Sequence, residues 1–551
     1  MNVFWRNHAH TECSSWKLPD FRDNSRAVLS STNHSRATLP SRLQLVTLLI
    51  FAACLRFYHL GKESLWFDEA ISFRRSGYAF SELIADSIHA FHNPSYFILL
   101  RAFRVVGDSE FALRLPSALF GVGKVWLTYV FARQILGHKG ALIAAAFIAM
   151  SRYQIHYDQE ARMYAPLLFF TTLALCGLFC VIKRRDSDAP LSLSNDSRRS
   201  QLSTGAPQQT DSLRFAWASF IVGTTGALYL HNTAVLFVAA TWCAVGAVVL
   251  FNPKGRKKLM KAWGWANVII FSLFSPWIGT LFEQSESMNE RVRGKAFPSL
   301  SNVFDKIQDV YLGGLNSPLV TFSVLALGLY GAFQLCKDKR VFVFLVTLTV
   351  STPILFLLVS LKQPMYLTRL LLWSAVPFSI FVAAGLMSIP FRFGPAVFGF
   401  CLALLLLFRL HADYYAPLQK PDWRRAIADL SKSVSDDSVV LAIGDREWRL
   451  FYYYFNRKDR PYSEFLVHYD VPKMVGALPD LINDKKTVWT VRTRDYREGR
   501  MVRERLATLG KRMWTRKYGP RLVLEKYDLS RATEGSEKIT TDEPYLEETE
   551  K

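Results

Sequence analysis

The chain has 551 residues, half of them hydrophobic, with 41 Phe and 14 Trp, and carries a formal net charge of +21. A soluble protein of this length alternates its apolar residues, whereas here they gather in runs of bilayer width, which argues against a purely soluble fold. The excess lysines and arginines lie between those runs, where they read as topology determinants with affinity for anionic lipids and not as a nucleic-acid surface.

Taken in chain order, residues 1–40 are polar and rich in Ser and Arg, without the apolar run of a cleaved leader, and read as a disordered cytoplasmic tail ahead of an uncleaved anchor. Apolar spans follow near 43–60, 112–134, 140–156, 163–182, 214–230, 233–251, 262–281, 317–336, 341–361, 369–389 and 394–411, eleven crossings in all. Basic loops at Arg133 to Lys139, Lys183 to Arg185, Asn252 to Lys258 and Lys337 to Arg340 then share one face, provided the N-terminus is cytoplasmic. This agreement requires the amphipathic stretch His92 to Val106, with Arg101 and Arg104, to lie along the interface and not to cross. The loops 61–111, 157–162, 231–232, 282–316 and 362–368 then face outward, as does everything after residue 411.

From Asp413 the texture changes to short β-rich pieces, Val439 to Ile443 and Val488 to Val491, alternating with helical patterns. Residues 412–532 read as a small extracytoplasmic α/β domain. Asp422 opens its first helix, Gly444 stands after its first strand, and 533–551 forms a flexible acidic tail. The fold class expected is a polytopic α-helical membrane protein with this domain appended. Six of seven cysteines fall inside apolar runs and suggest no disulfide framework; Cys176 and Cys180, at i and i+4, read as small helix-facing residues and not as metal ligands. Arg56, at the end of the first span, reads as a snorkelling side chain.

The residues able to carry chemistry sit at span boundaries. Asp68 and Glu69 follow Trp66 and Phe67, aromatic residues suited to anchoring at headgroup level. A carboxylate half-shielded from water has its pKa raised toward neutrality, and so can act as general base toward a hydroxyl within hydrogen-bond reach; a helix cap or solvated loop acid is the plainer account. Its company is His92-Asn93-Pro94-Ser95-Tyr96, the stretch Gly107 to Arg114 leading to Leu115-Pro116-Ser117, the cluster Gln159-Glu160-Ala161-Arg162-Met163-Tyr164, and Gln363-Pro364-Met365-Tyr366 leading to Arg369. His231-Asn232 either reaches the same cleft or is only a short loop.

These motifs, over residues 43 to about 460, resemble the GT-C glycosyltransferases of the protein-mannosyltransferase-like, aminoarabinose-transferase-like class. There an acid pair follows the first span, a His-Pro-Pro-Tyr-like element comes next, and a Gln-Glu-Ala-Arg-Met-Tyr cluster follows. The resemblance implies a GT-C transmembrane catalytic domain over 41–411, with the outer loop 61–111. It also implies a polyprenyl-phosphate sugar donor, a lipid, glycan or protein acceptor, and a bacterial inner membrane. On that resemblance Asp68 is the general base, Glu69 positions the acceptor or binds a metal, and Glu160 is the second acid. Arg162 and Arg369 hold the donor phosphate, since a guanidinium fork matches phosphate oxygens. The sequence departs from the family at Asn93 and Ser95, which leaves three roles open to His92: metal ligand, phosphate contact or helix cap. Tyr164 and Tyr366 bind phosphate or sugar, or anchor the interface. No cofactor is expected with certainty, a divalent metal being the one candidate.

Two other classes compete. A transporter or lipid flippase places ionisable residues midway along spans, whereas these acids are at span ends. A non-catalytic receptor leaves eleven spans and the boundary motifs without purpose.

Overall fold

The computed structural model describes residues 39–89, 92–184, 206–251, 256–292, 296–312, 317–364, 366–443, 447–455, 466–467, 471–483, 485–493 and 497–530. The expectations for the N-terminal tail, for Gly444 and for the acidic end fall outside them. Nine helices among the described residues are long and apolar enough to cross a membrane, from Leu39–Phe57 to Gly394–Tyr415. Exposed Phe322, Leu329 and Phe333 on the helix Pro318–Leu335 are what a lipid-facing surface requires.

The difference from eleven arises in two places. Glu110–Met150 runs through two of the expected spans, with a break at Gly137, whose φ of 71° only a residue without Cβ adopts easily. Ala206–Leu230 is a long helix that is not among those nine, its apolar stretch being diluted chiefly by Arg214. The stretch from His92 contains a nine-residue α-helix, Ser95–Phe103, followed by a single 3-10 turn, Arg104–Val106. At a rise of about 1.5 Å per residue it covers roughly half the hydrocarbon thickness, too little to cross.

Glycines set the closest helix crossings. A Cβ on Gly331 would meet the Phe381 carbonyl oxygen at 1.8 Å, and one on Gly385 the Leu327 oxygen at 2.0 Å, so Pro318–Leu335 and Ala375–Met387 touch backbone to backbone. Gly177 and Gly223 do the same between Tyr164–Arg184 and Ala206–Leu230. In lipid, where helices gain little from hydrophobic exclusion, such close approach supplies the dispersion contact that holds a bundle together.

Arg56 does not snorkel, which corrects the sequence reading. It is fully buried, its Nε donating to Asp158 Oδ2 at 2.9 Å and its Nη1 to the carbonyls of Ala52 and Ala149. Lys124 reaches the same carboxylate at 2.8 Å. Gly121 makes the room: a Cβ there would stand 2.4 Å from the Asp158 carboxyl carbon. An acid at the end of the short helix Arg152–Asp158 was available all along, and a buried guanidinium prefers it to a longer path to water.

Beyond the last long helix, Asp422 caps the helix Trp423–Ser433 by accepting from the Arg425 N–H at 3.2 Å. A five-stranded sheet follows in the order β2-β1-β3-β5-β4, with β1 (Ser438–Ala442) lying between and parallel to β2 (Leu466–Val467) and β3 (Thr487–Arg492). β5 (Val523–Asp528) runs antiparallel to β3 and to β4 (Lys511–Lys517). β1 is buried along its whole length, as a strand covered on both faces must be, which is why its sequence is a continuous apolar run.

Replacing Gly385 by Val should force the two helices apart, at a cost of about 1–3 kcal/mol or more. A lower thermal unfolding midpoint of the detergent-solubilised protein checks this, and an unchanged midpoint would refute the backbone contact.

Candidate active site

The acid helix, Phe67–Ser76, begins at Trp66 and carries both acids in its first turn, where the helix N-terminus favours negative charge. Consecutive helical residues diverge by about 100°, so the two carboxylates meet different neighbours. Glu69 is entirely buried. Arg114 grips it with two parallel bonds, Nε to Oε1 and Nη2 to Oε2, both 2.8 Å. Lys420 Nζ adds a third at 3.0 Å, and the N–H groups of Ala161 and Trp66 donate at 2.9 and 3.2 Å. Arg114 spends its remaining donors on the carbonyls of Leu60, Glu63 and Ser64. Burial pushes the Glu69 carboxyl up, but Arg114 and Lys420 outweigh it and hold the group well below the usual carboxylate range.

Asp68 is the open acid, with 21% of its side chain exposed and one carboxylate oxygen 3.9 Å from Arg162 Nη2. Arg162 is buried, its Nη1 donating to the Asp68 carbonyl and to Ser72 Oγ, both at 3.4 Å. Its Nη2 also lies 3.3 Å from His92 Nε2. A guanidinium is always a donor, so His92 Nε2 accepts and the ring proton is assigned to Nδ1. Burial, then the charge of Arg162, holds His92 well below its ordinary pKa. The same causes, burial followed by Arg369 and Arg162, bring His231 down to about 3. Both rings are therefore neutral at physiological pH.

Tyr164 joins the two arginines: the guanidinium carbons of Arg369 and Arg162 stand 5.5 and 6.0 Å from its ring centroid. The His231 ring approaches it at 6.0 Å. The structure thus brings Asp68, His92, Arg162, Tyr164 and Arg369 into one cluster, with His231 beside them. Glu160 lies one shell away, nearly buried and 3.2 Å from His156 Nε2, whose ring touches Tyr157 and Tyr414. Burial raises its carboxyl, but His156 and Lys420 bring it to a net position below the ordinary value. Tyr366 is not seen in contact with the cluster among the described residues; its hydroxyl is buried without a hydrogen-bond partner, and burial pushes it up to about 12.

The donor set around the acids does not suit a divalent cation. Both Glu69 oxygens are taken by cationic donors, Asp68 faces a guanidinium, and among the described residues no three His, Cys, Asp or Glu side chains converge. The cleft bordered by Lys62, Arg114, Tyr414 and Lys420 is lined by neither Arg162 nor Arg369.

Sequence reasoning gave no role to Arg114 or Lys420. Arg114 had a signal, being an arginine at the start of an apolar run and so in need of an acid. Lys420 had none, because its partner lies 351 residues away.

Residues 92–193 match the family model described as dolichyl-phosphate-mannose-protein mannosyltransferase. An uncharacterized protein of Aquifex aeolicus is 32% identical over 136 residues, 23% of this chain and 27% of that protein's length. The crystal structure of ArnT from Cupriavidus metallidurans in the apo state is similar at a TM-score of 0.58 and 10% identity, over 90% of this chain and 100% of that one. ArnT bound to undecaprenyl phosphate gives 0.55 at 10% identity, over 87% and 97%. The Archaeoglobus fulgidus oligosaccharyltransferase tethered to an acceptor peptide gives 0.50 at 10%, over 82% and 69%. At such identities the likeness is one of fold, and together with the nine long apolar helices among the described residues it is that of a multi-pass membrane protein. In sequence, the stretch 92–193 is similar to the protein-mannosyltransferase family, and in fold the chain is similar to ArnT.

Because the folded pKa of Glu69 is depressed, the stability it confers is fully present above the ordinary value of 4.5 and is lost as pH falls below it. The gap in unfolding midpoint between the wild type and Glu69→Gln should therefore narrow on going from pH 7 to pH 4. A gap that widens over this range would contradict a charged Glu69.

Proposed function

We propose that the protein is a membrane glycosyltransferase that moves a sugar from a polyprenyl-phosphate-linked donor to a hydroxyl of a lipid, glycan or protein acceptor, on the extracytoplasmic face of an inner membrane. The observation that carries this reading is the open Asp68 carboxylate beside the paired guanidiniums of Arg162 and Arg369. The match at 92–193 and the shared fold with ArnT support it.

In the proposed reaction Asp68 takes the proton of the acceptor hydroxyl as the acceptor oxygen attacks the anomeric carbon. The bond from that carbon to the phosphate oxygen breaks, and its electron pair leaves with the polyprenyl phosphate. Arg162 and Arg369 offset the charge that grows on the phosphate, in a pocket where neutral His92 and His231 add no competing cation. A phosphate leaves readily as an anion, so one base and preorganised cations suffice, and a single displacement inverts the anomeric centre. Glu160 stands as a supporting acid, through His156. Transport, by contrast, wants an intramembrane charge free to change partners, whereas Asp158 is locked between Arg56 and Lys124.

Asp68→Asn should lower turnover with a polyprenyl-phosphate sugar by about 10²–10⁴-fold at unchanged expression and folding; undiminished turnover removes the proposed base. Arg369→Met should weaken donor binding by about 10- to 100-fold, the loss of a charge-assisted contact, and a donor titration reads this directly.

A further inference from the structure

We infer that Lys420 is a positioning residue for the transfer reaction, acting through Glu69 on the helix that presents Asp68; the inference rests on reading Asp68 as the base. Glu69 is completely buried and already balanced in charge by the two-bond grip of Arg114, so the fold does not need a second cation there. Yet Lys420 brings its ammonium to Glu69 Oε2 with only 11% of the side chain left exposed. Removing an ammonium from water is costly, and one well-placed bond offsets it where orientation matters.

The surrounding contacts show what is being oriented. On one side, the Gln419 N–H bonds the Glu63 carboxylate, the Arg424 N–H donates to Ser64 Oγ at 3.1 Å, and the Arg424 guanidinium reaches Glu110 at 2.6 Å and the Gly61 carbonyl at 3.0 Å. On the other, the Tyr454 hydroxyl accepts from the Leu65 N–H at 2.6 Å and donates to Glu110 at 2.9 Å. The Tyr453 ring meets Phe73 edge-on at 4.8 Å, and Arg449 lies over Phe67 at 5.3 Å. Two segments of the chain beyond the last long helix therefore grip the turn before Asp68 and the helix after it, and Lys420 is the contact that enters the buried acid site. The donor-side groups, Arg162, His92 and Arg369, make no hydrogen bond or ion pair with either segment among the described residues.

Loss of Lys420 should thus displace the base while leaving the phosphate contacts in place. A shift of about 1 Å in a reacting group costs up to about 100-fold in rate. In the full-length protein in lipid, Lys420→Met should lower kcat by about tenfold or more, with polyprenyl phosphate binding changed by no more than about twofold. Lys420→Arg should restore most of the rate, and Lys420→Met should add no further loss in a Glu69→Gln background. Lys486→Met, which breaks an exposed pair with Asp437, is the control and should leave kcat unaltered. Wild-type kcat in Lys420→Met, additive losses with Glu69→Gln, or an equal loss of polyprenyl phosphate binding would each overturn the inference. If Lys420→Met does not accumulate as folded protein, Lys420→Gln puts the same questions. Full activity in Asp68→Asn would instead sink the reading on which the inference rests.

Discussion

The paired bonds between Arg114 and Glu69 are the constraint on which the acid site depends. Four pieces of chain far apart in sequence converge there: the loop after the first long helix, the start of Glu110–Met150, the turn at Ala161 and the segment holding Lys420. A carboxylate and a guanidinium with nearly every lone pair and proton engaged leave little freedom of orientation, and removing either would strand a buried charge. Asp68 borrows its position from this arrangement. The buried acid thus fixes the helix turn that carries the open one.

The division between adjacent acids also separates their electrostatics. Glu69 faces Arg114 and Lys420, whereas Asp68 faces Arg162, which shares Tyr164 with Arg369. Two neutral imidazoles complete the second environment. His92 accepts from Arg162 and helps set the direction of its guanidinium, so positive charge is concentrated on planar, forked groups suited to phosphate oxygens.

Much of this was legible in the sequence, for physical reasons that can be named. Runs of bilayer width announce membrane helices because lipid cannot solvate a polar chain, and the acid, arginine and tyrosine motifs stand out because they interrupt such runs. Asp422 was readable as a helix start, and Val439 to Ile443 and Val488 to Val491 as β-rich pieces, since capping and strand propensity are local effects. What sequence did not disclose is pairing at a distance. Arg56 was misread because its partner, Asp158, is 102 residues away. The split between a buried Glu69 and an open Asp68 was hidden for the same reason, and Tyr366, from an equally suggestive motif, is not seen to join the cluster.

The buried trio of Arg56, Lys124 and Asp158 sets two bases against one acid, in a part of the bundle where Arg56 and Asp158 are fully shielded from water. Any proton or metal cation moving along the interior would meet that surplus with little dielectric screening, and the resulting barrier is of the kind that keeps narrow pores closed to cations. The helices that meet around Arg56 and Lys124 thus oppose the passage of cations between them, whatever else moves along their outer surface.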